Sequence, residues 1–159
     1  MPGIAPMLWF GTQAEEAARF YTSVFPNSSI TAVSHYGEAG PRPAGTVLTV
    51  AFELDGEPFT ALNGGPEFHF SEAVSFVIDC KDQAEVDHYW TKLAEGGEEG
   101  QCGWVKDRFG LSWQVVPAEL PSLIGDPDRD RAKRAMEAML QMRKLDVAAL
   151  RAAADSVPT

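Results

Sequence analysis

"GTQAEEAARFYTSVFPN" (residues 11–27) and "DQAEVDHYWTKLAEGG" (residues 82–97) are two versions of one helix, and reading them together decides the fold. In the first, Thr12 and Glu15 form a capping box, since each side chain can satisfy the other's free backbone donor; Asp82 and Glu85 repeat it in the second. Ala14, Ala17, Ala18, Tyr21, Val24 and Phe25 share one face at helical spacing, with Glu15, Glu16 and Arg19 turned away. Pro26 and Asn27 stop the first helix and Gly96-Gly97 the second. Both carry large aromatics on the second turn, Phe20 and Tyr21 in one copy, Tyr89 and Trp90 in the other.

Working outward, the same order of elements surrounds each copy. A short apolar run precedes the helix, Ile4 to Phe10 and then Val74 to Asp79. Extended runs follow it. In the first half these are Ile30–Tyr36, Thr46–Leu54 and Phe59–Asn63, broken by Gly37–Gly45 and by Asp55-Gly56, a strong hairpin signal between alternating apolar residues. In the second half Gln101–Lys106 and Leu111–Val116 flank a turn at Asp107–Gly110. The pattern is an internal repeat of a βαβββ unit. The expected class is α+β: two tandem βαβββ modules, residues 1–70 and 71–118, with C-terminal helices in a tail over 119–159. The 159 residues suit a single domain, 1–159.

Strand alternation then assigns faces. Leu8 and Phe10, like Phe76 and Ile78, should pack on helices, leaving Met7, Trp9, Ser75 and Val77 on the opposite face, which would line a concave sheet. Ser112, Gln114 and Val116 share one face of the last strand, Trp113 and Val115 the other. In the tail, Asp126-Pro127 reads as a helix start. Ala132, Ala135, Met136, Met139, Leu140 and Met142 form an apolar stripe for packing on the chain's own sheet or on a second subunit. Arg129, Arg131, Lys133 and Arg134 alternate with Asp128 and Asp130 as a solvated face, and a last helix begins near Asp146.

Composition excludes several classes. A formal charge of -10 and a pI near 4.6 disfavour nucleic acid. No apolar run approaches the roughly 20 residues that span a bilayer, so no membrane role is expected. The start "MPGIAPMLWFG" lacks a signal peptide's basic opening and cleavage site, and the expected location is cytoplasmic. Cys80 and Cys102 read as reduced thiols.

"LWFGTQAEEAARFYTSVFPNS", "ALNGGPEFHFSEAVSFVIDCKDQAEVDHYWTKLAEGGEEGQCGWVKDRFGLSWQVVP" and "AMLQMRKLDVAAL" together resemble the PhnB-like branch of the glyoxalase/bleomycin-resistance/dioxygenase (vicinal oxygen chelate) superfamily, over nearly the whole chain. The resemblance implies paired modules whose curved mixed sheets form a cleft, usually within a homodimer. Superfamily enzymes hold a divalent metal with His and Glu on the first and last strands of the modules. Here those places carry Ala5, Pro6 and Met7; Ala73, Val74 and Ser75; and Ala61, Leu62 and Asn63, none an ordinary ligand for such a metal. The final position, where a carboxylate is usual, aligns with Gln114. No cofactor and no metal is therefore expected.

The branch is also labelled demethylubiquinone methyltransferase-like. S-adenosylmethionine chemistry calls for a glycine-rich turn between a strand and a helix of an alternating α/β sheet, whereas "NGGP" (63–66) leads into Pro66 and another strand. Of the histidines, His35 and His88 read as surface residues. His69, between Phe68 and Phe70 in "GGPEFHFSEA", could lie over the cleft mouth. The expected ligand-binding cleft comprises Trp9, Asn63, His69, Ser75, Trp104 and Gln114, an aromatic wall with neutral hydrogen-bonding groups. Core packing is the competing role for Trp104 and Trp113. The leading reading is a homodimeric protein that binds an unidentified small molecule. The alternatives are a metal-dependent lyase, isomerase or dioxygenase with ligands from loops, such as His69 with Glu67, or from a partner subunit, and an interaction module with no ligand.

Overall fold

The dipeptide Asp55-Gly56 takes positive φ at both residues, 49° and 82°, the backbone of a two-residue hairpin turn that glycine adopts at no steric cost. It joins β3 (Val47–Leu54) to β4 (Glu57–Asn63) with Leu54 opposite Glu57. The computed structural model describes residues 3–156. The chain divides after Phe70 into two compact units. In the first, β1 (Met7–Phe10), α1 (Ala14–Val24) and β2 (Ser29–His35) complete a sheet of order β1-β4-β3-β2, parallel between β1 and β4 and otherwise antiparallel. The second repeats it with β5 (Ser75–Cys80), α2 (Gln83–Ala94), β6 (Glu98–Glu99), β7 (Trp104–Lys106) and β8 (Ser112–Pro117), in the order β5-β8-β7-β6. The βαβββ repeat stands.

Each helix buries the face its spacing defined. Ala14, Ala17, Ala18, Tyr21 and Val24 are buried in α1, and Tyr21 stacks on Phe52 of β3 with centroids 6.1 Å apart. Val86, Tyr89, Trp90 and Leu93 do the same in α2. The helix starts differ. Asp82 accepts from the Glu85 amide at 2.9 Å and Glu85 reaches back to the Lys81 amide, a capping box displaced by one residue at its return bond. The box expected at Thr12 does not form. Gln13 is the N-cap and offers no side-chain bond, because Asn63 at the end of β4 supplies the acceptor, bonding the Ala14 amide at 2.8 Å.

The Asp107–Gly110 turn is held from within. Asp107, only 2% exposed, accepts from the Phe109 and Leu111 amides through Oδ1 and from the Trp113 indole N–H through Oδ2 at 2.9 Å. Trp113 is therefore core, packed against Phe76.

The tail belongs to the second unit. It forms α3 (Leu120–Ile124), α4 (Arg129–Leu140) and α5 (Val147–Asp155). Val116, Leu120, Leu123, Ala135, Leu145, Leu150 and Ala154 make one cluster, with Met139 and Met142 against it. The backbone completes the joint: the Cys102 and Gly103 amides donate to the Met142 and Arg143 carbonyls at 2.8 Å, and Gln83 bridges the Leu145 carbonyl and the Val147 amide. Two expectations for the tail are corrected. Asp128, not Asp126, caps α4, since Asp126 is spent holding the Asp128 amide. The arginine cluster is also not simply solvated: Arg131 pairs with Asp126 and Asp155, and Arg134 donates twice to the Ala154 carbonyl, satisfying the end of α5.

Candidate functional site

On the second sheet, register brings Ser75, Val77, Gln114 and Trp104 to one face. Val77 and Trp104 both oppose Gln114, on β5 and β7, and Gln114 Nε2 donates to Ser75 Oγ at 3.0 Å. Ser75, Trp104 and Gln114 are half-buried, while Val77 is 59% exposed. The opposite face carries Phe76, Trp113 and Val115 toward the core. Trp104 also borders a cavity of about 210 Å³ with Lys106 and Ser112, rimmed by Glu72, Glu98 and Glu99. Lys106 hydrogen-bonds Glu72, which holds the Glu72 carboxyl below its ordinary value and raises the lysine.

The other predicted residues lie in the first unit, and they do not share one face. Trp9 stands on the open face of β1 beside Met7, its indole N–H donated to the Gly65 carbonyl at 2.9 Å and its ring edge-on to Phe68 at 4.9 Å. The glycines of "NGGP" serve this packing: a Cβ on Gly64 would come within 2.4 Å of the Trp9 ring. They open onto a loop and β5, with no helix after them. Asn63 pairs with Phe10 and points to the helix side, so its grouping with Trp9 is corrected. Its amide is committed, Oδ1 to the Ala14 amide and Nδ2 to the Val47 carbonyl, and its own carbonyl accepts from Tyr36 Oη at 2.6 Å. Alternation along Phe59–Asn63 could have shown this, because Asn63 is two residues from buried Ala61. His69 is exposed on the loop before β5, as is Glu67.

Among the described residues no group of three or more His, Cys, Asp or Glu side chains is placed to hold a metal ion. What the second sheet offers is neutral. The Gln114 carbonyl oxygen and the Ser75 hydroxyl proton can meet a ligand, and Trp104 supplies an aromatic surface. Cys80, at the end of β5, is no nucleophile: burial, then the nearby Glu85 charge, pushes its thiol up to about 12.

The family model for 3-demethylubiquinone-9 3-methyltransferase matches residues 2–116. A solved PhnB protein from Bacillus cereus is 35% identical, with a TM-score of 0.67 over 74% of this chain and 100% of its own. The chain belongs to the 3-demethylubiquinone-9 3-methyltransferase (PhnB-like) family. Its fold is that of the vicinal oxygen chelate superfamily. A protein from Pseudomonas aeruginosa (22% identity, TM-score 0.61, 74% of this chain and 98% of that one) shares it. So does FosX, a fosfomycin resistance protein of Listeria monocytogenes solved with Mn(II) and sulfate (15%, TM-score 0.52, 84% and 98%). No curated protein matches the chain. No helix of the described residues is long and apolar enough to cross a membrane.

Proposed function

We propose that this PhnB-like chain is a homodimeric small-molecule-binding protein that recognises its ligand on the Ser75–Gln114–Trp104 face without the superfamily's usual His/Glu metal centre. The observation that carries this reading is the Gln114–Ser75 hydrogen bond: where the resemblance leads one to expect a metal-binding carboxylate, a neutral amide bonds a neutral hydroxyl across the strands. A carboxamide carries no charge to hold a hard cation, whereas an oriented amide beside an indole suits a neutral polar ligand. The apolar side chains exposed on the open sheet faces, Met7 and Val77, support burial of those faces in a paired assembly. Free Cys80 and Cys102 suit a cytoplasmic setting.

The test is elemental analysis of untagged protein followed by a ligand screen read by tryptophan fluorescence. The expected result is no bound metal and a hit whose fluorescence response is lost in Trp104→Phe and whose affinity falls about tenfold in Gln114→Ala, the loss of one or two hydrogen bonds to a ligand. Near-stoichiometric metal that disappears on His69→Ala would overturn the reading in favour of a loop-built metal centre.

A further inference from the structure

A cavity of about 450 Å³ in the first unit lies between the start of α1 and the loop joining β2 to β3. Thr12, Arg42, Pro43, Thr46 and Val47 line it. Its size falls in the range of small-molecule pockets, roughly 300–1,000 Å³. Arg42 sets it apart. The guanidinium Nε is buried without a hydrogen-bond partner, the single buried side-chain nitrogen or oxygen so placed among the described residues. A guanidinium stays protonated, so this N–H carries part of a full positive charge with nothing to receive it.

Neither nearby carboxylate accepts a hydrogen bond from the Arg42 Nε. Glu15 also lines the cavity, but its Oε1 pairs with Arg19 at 3.1 Å. Glu67 and the Arg42 Nη2 approach the same corner, 2.6 and 3.3 Å from where a Cβ on Gly65 would stand, yet no ion pair joins them. In a chain of net charge -10 the overall field disfavours an anion, so binding here depends on the local guanidinium.

We propose that this cavity binds a small organic anion, its oxyanion head received by Arg42 and its apolar body resting on Pro43 and Val47. A guanidinium's planar set of N–H donors matches a carboxylate or phosphate in a bidentate, charge-assisted pair. The site uses none of Ser75, Trp104 or Gln114, so it stands or falls separately from the reading of the second sheet.

Titration of the full chain with benzoate and, separately, with phenyl phosphate by isothermal calorimetry tests it. Saturable binding of at least one probe is expected, the preferred probe identifying the head group as carboxylate or phosphate. Arg42→Gln should weaken that binding by about tenfold or more, as expected for loss of a charge-assisted pair, and Ser75→Ala should leave it unchanged. No saturable binding of either probe, or equal binding by Arg42→Gln, overturns the proposal. Should Arg42→Gln not fold, phenylglyoxal labelling of the unaltered protein gives the answer: the probe should protect Arg42, as mapped by mass spectrometry, and equal labelling with and without probe overturns it.

Discussion

The two units solve the same problem at the helix start with different residues. Thr12 and Asp82 occupy matching places in the repeat, and so do Asn63 and Pro117, which pair with Phe10 and Cys80 at the ends of β4 and β8. In the second unit the last strand residue is a proline with no polar side chain, and Asp82 caps α2 locally. In the first, the strand residue is Asn63, which reaches across to the Ala14 amide, and Thr12 is released. A free helix amide must find an acceptor, but that acceptor need not be close in sequence.

The difference is steepest at the turns, where it can be broken first. The Asp55-Gly56 hairpin rests on its positive-φ backbone and on exposed bonds from its two amides to Ser28 Oγ and the Asn27 carbonyl, whereas the Asp107–Gly110 turn hangs on one buried carboxylate. Asp107→Ala removes the acceptor of three donors and should destabilise the second unit by about 3–5 kcal/mol, read from the urea midpoint. Asp55→Ala, which only loses tolerance for a positive φ, should cost about 1 kcal/mol.

The two caps come next. Asn63→Ala leaves the Ala14 amide without its acceptor and the Val47 carbonyl without its donor, with an expected cost of about 2–3 kcal/mol. Asp82→Ala should cost about 1 kcal/mol, because that cap is exposed and water can replace it. Equal losses in thermal unfolding would show that the distant cap carries no extra weight.

A third contrast sets Phe10 against Cys80 at matching core positions. With its thiol pushed up to about 12 and fully buried, Cys80 should resist a thiol reagent at neutral pH until the chain unfolds, while partly exposed Cys102 reacts in the native state. Fast native labelling of both would contradict the packing of β5.

The smallest expected effect concerns the tail, which only the second unit has. The Arg151 hydrogen bond holds Glu119 below its ordinary 4.5, and the Asp128 amide, then Arg131, hold Asp126 below its ordinary 3.8. Folded values below the unfolded ones mean that both contributions are complete above those ordinary values and are lost as pH falls through the folded ones. The protection factors of amides in α4 and α5, which correct for the intrinsic slowing of exchange in acid, should therefore fall below pH 3.8 relative to neutral pH, modestly because every partner is solvated. Unchanged protection factors would make these pairs neutral to tail docking.

What the sequence alone determined is whatever neighbours along the chain decide. Helical spacing placed α1 and α2, Asp55-Gly56 placed a turn, and strand alternation separated Leu8 and Phe10 from Met7 and Trp9, since periodicity is a local property of the backbone. Side-chain partners that arrive from distant segments were settled only by the tertiary structure. Asn63 looked like a partner of Trp9 in one cleft until β4 brought it to the start of α1, where its amide is committed and it borders the Arg42 cavity instead. Trp113 became core through Asp107 while Trp104 stayed on the open face, although both stand in one hairpin. Arg134 looked solvated until α5 ended against it. Arg42 is the same lesson in reverse: its loop carries no recognisable motif, and only the fold leaves its Nε buried and unanswered beside a cavity. A hydrogen-bonding group's role depends on which partners folding delivers or withholds, and a sequence lists the groups without the distances between them.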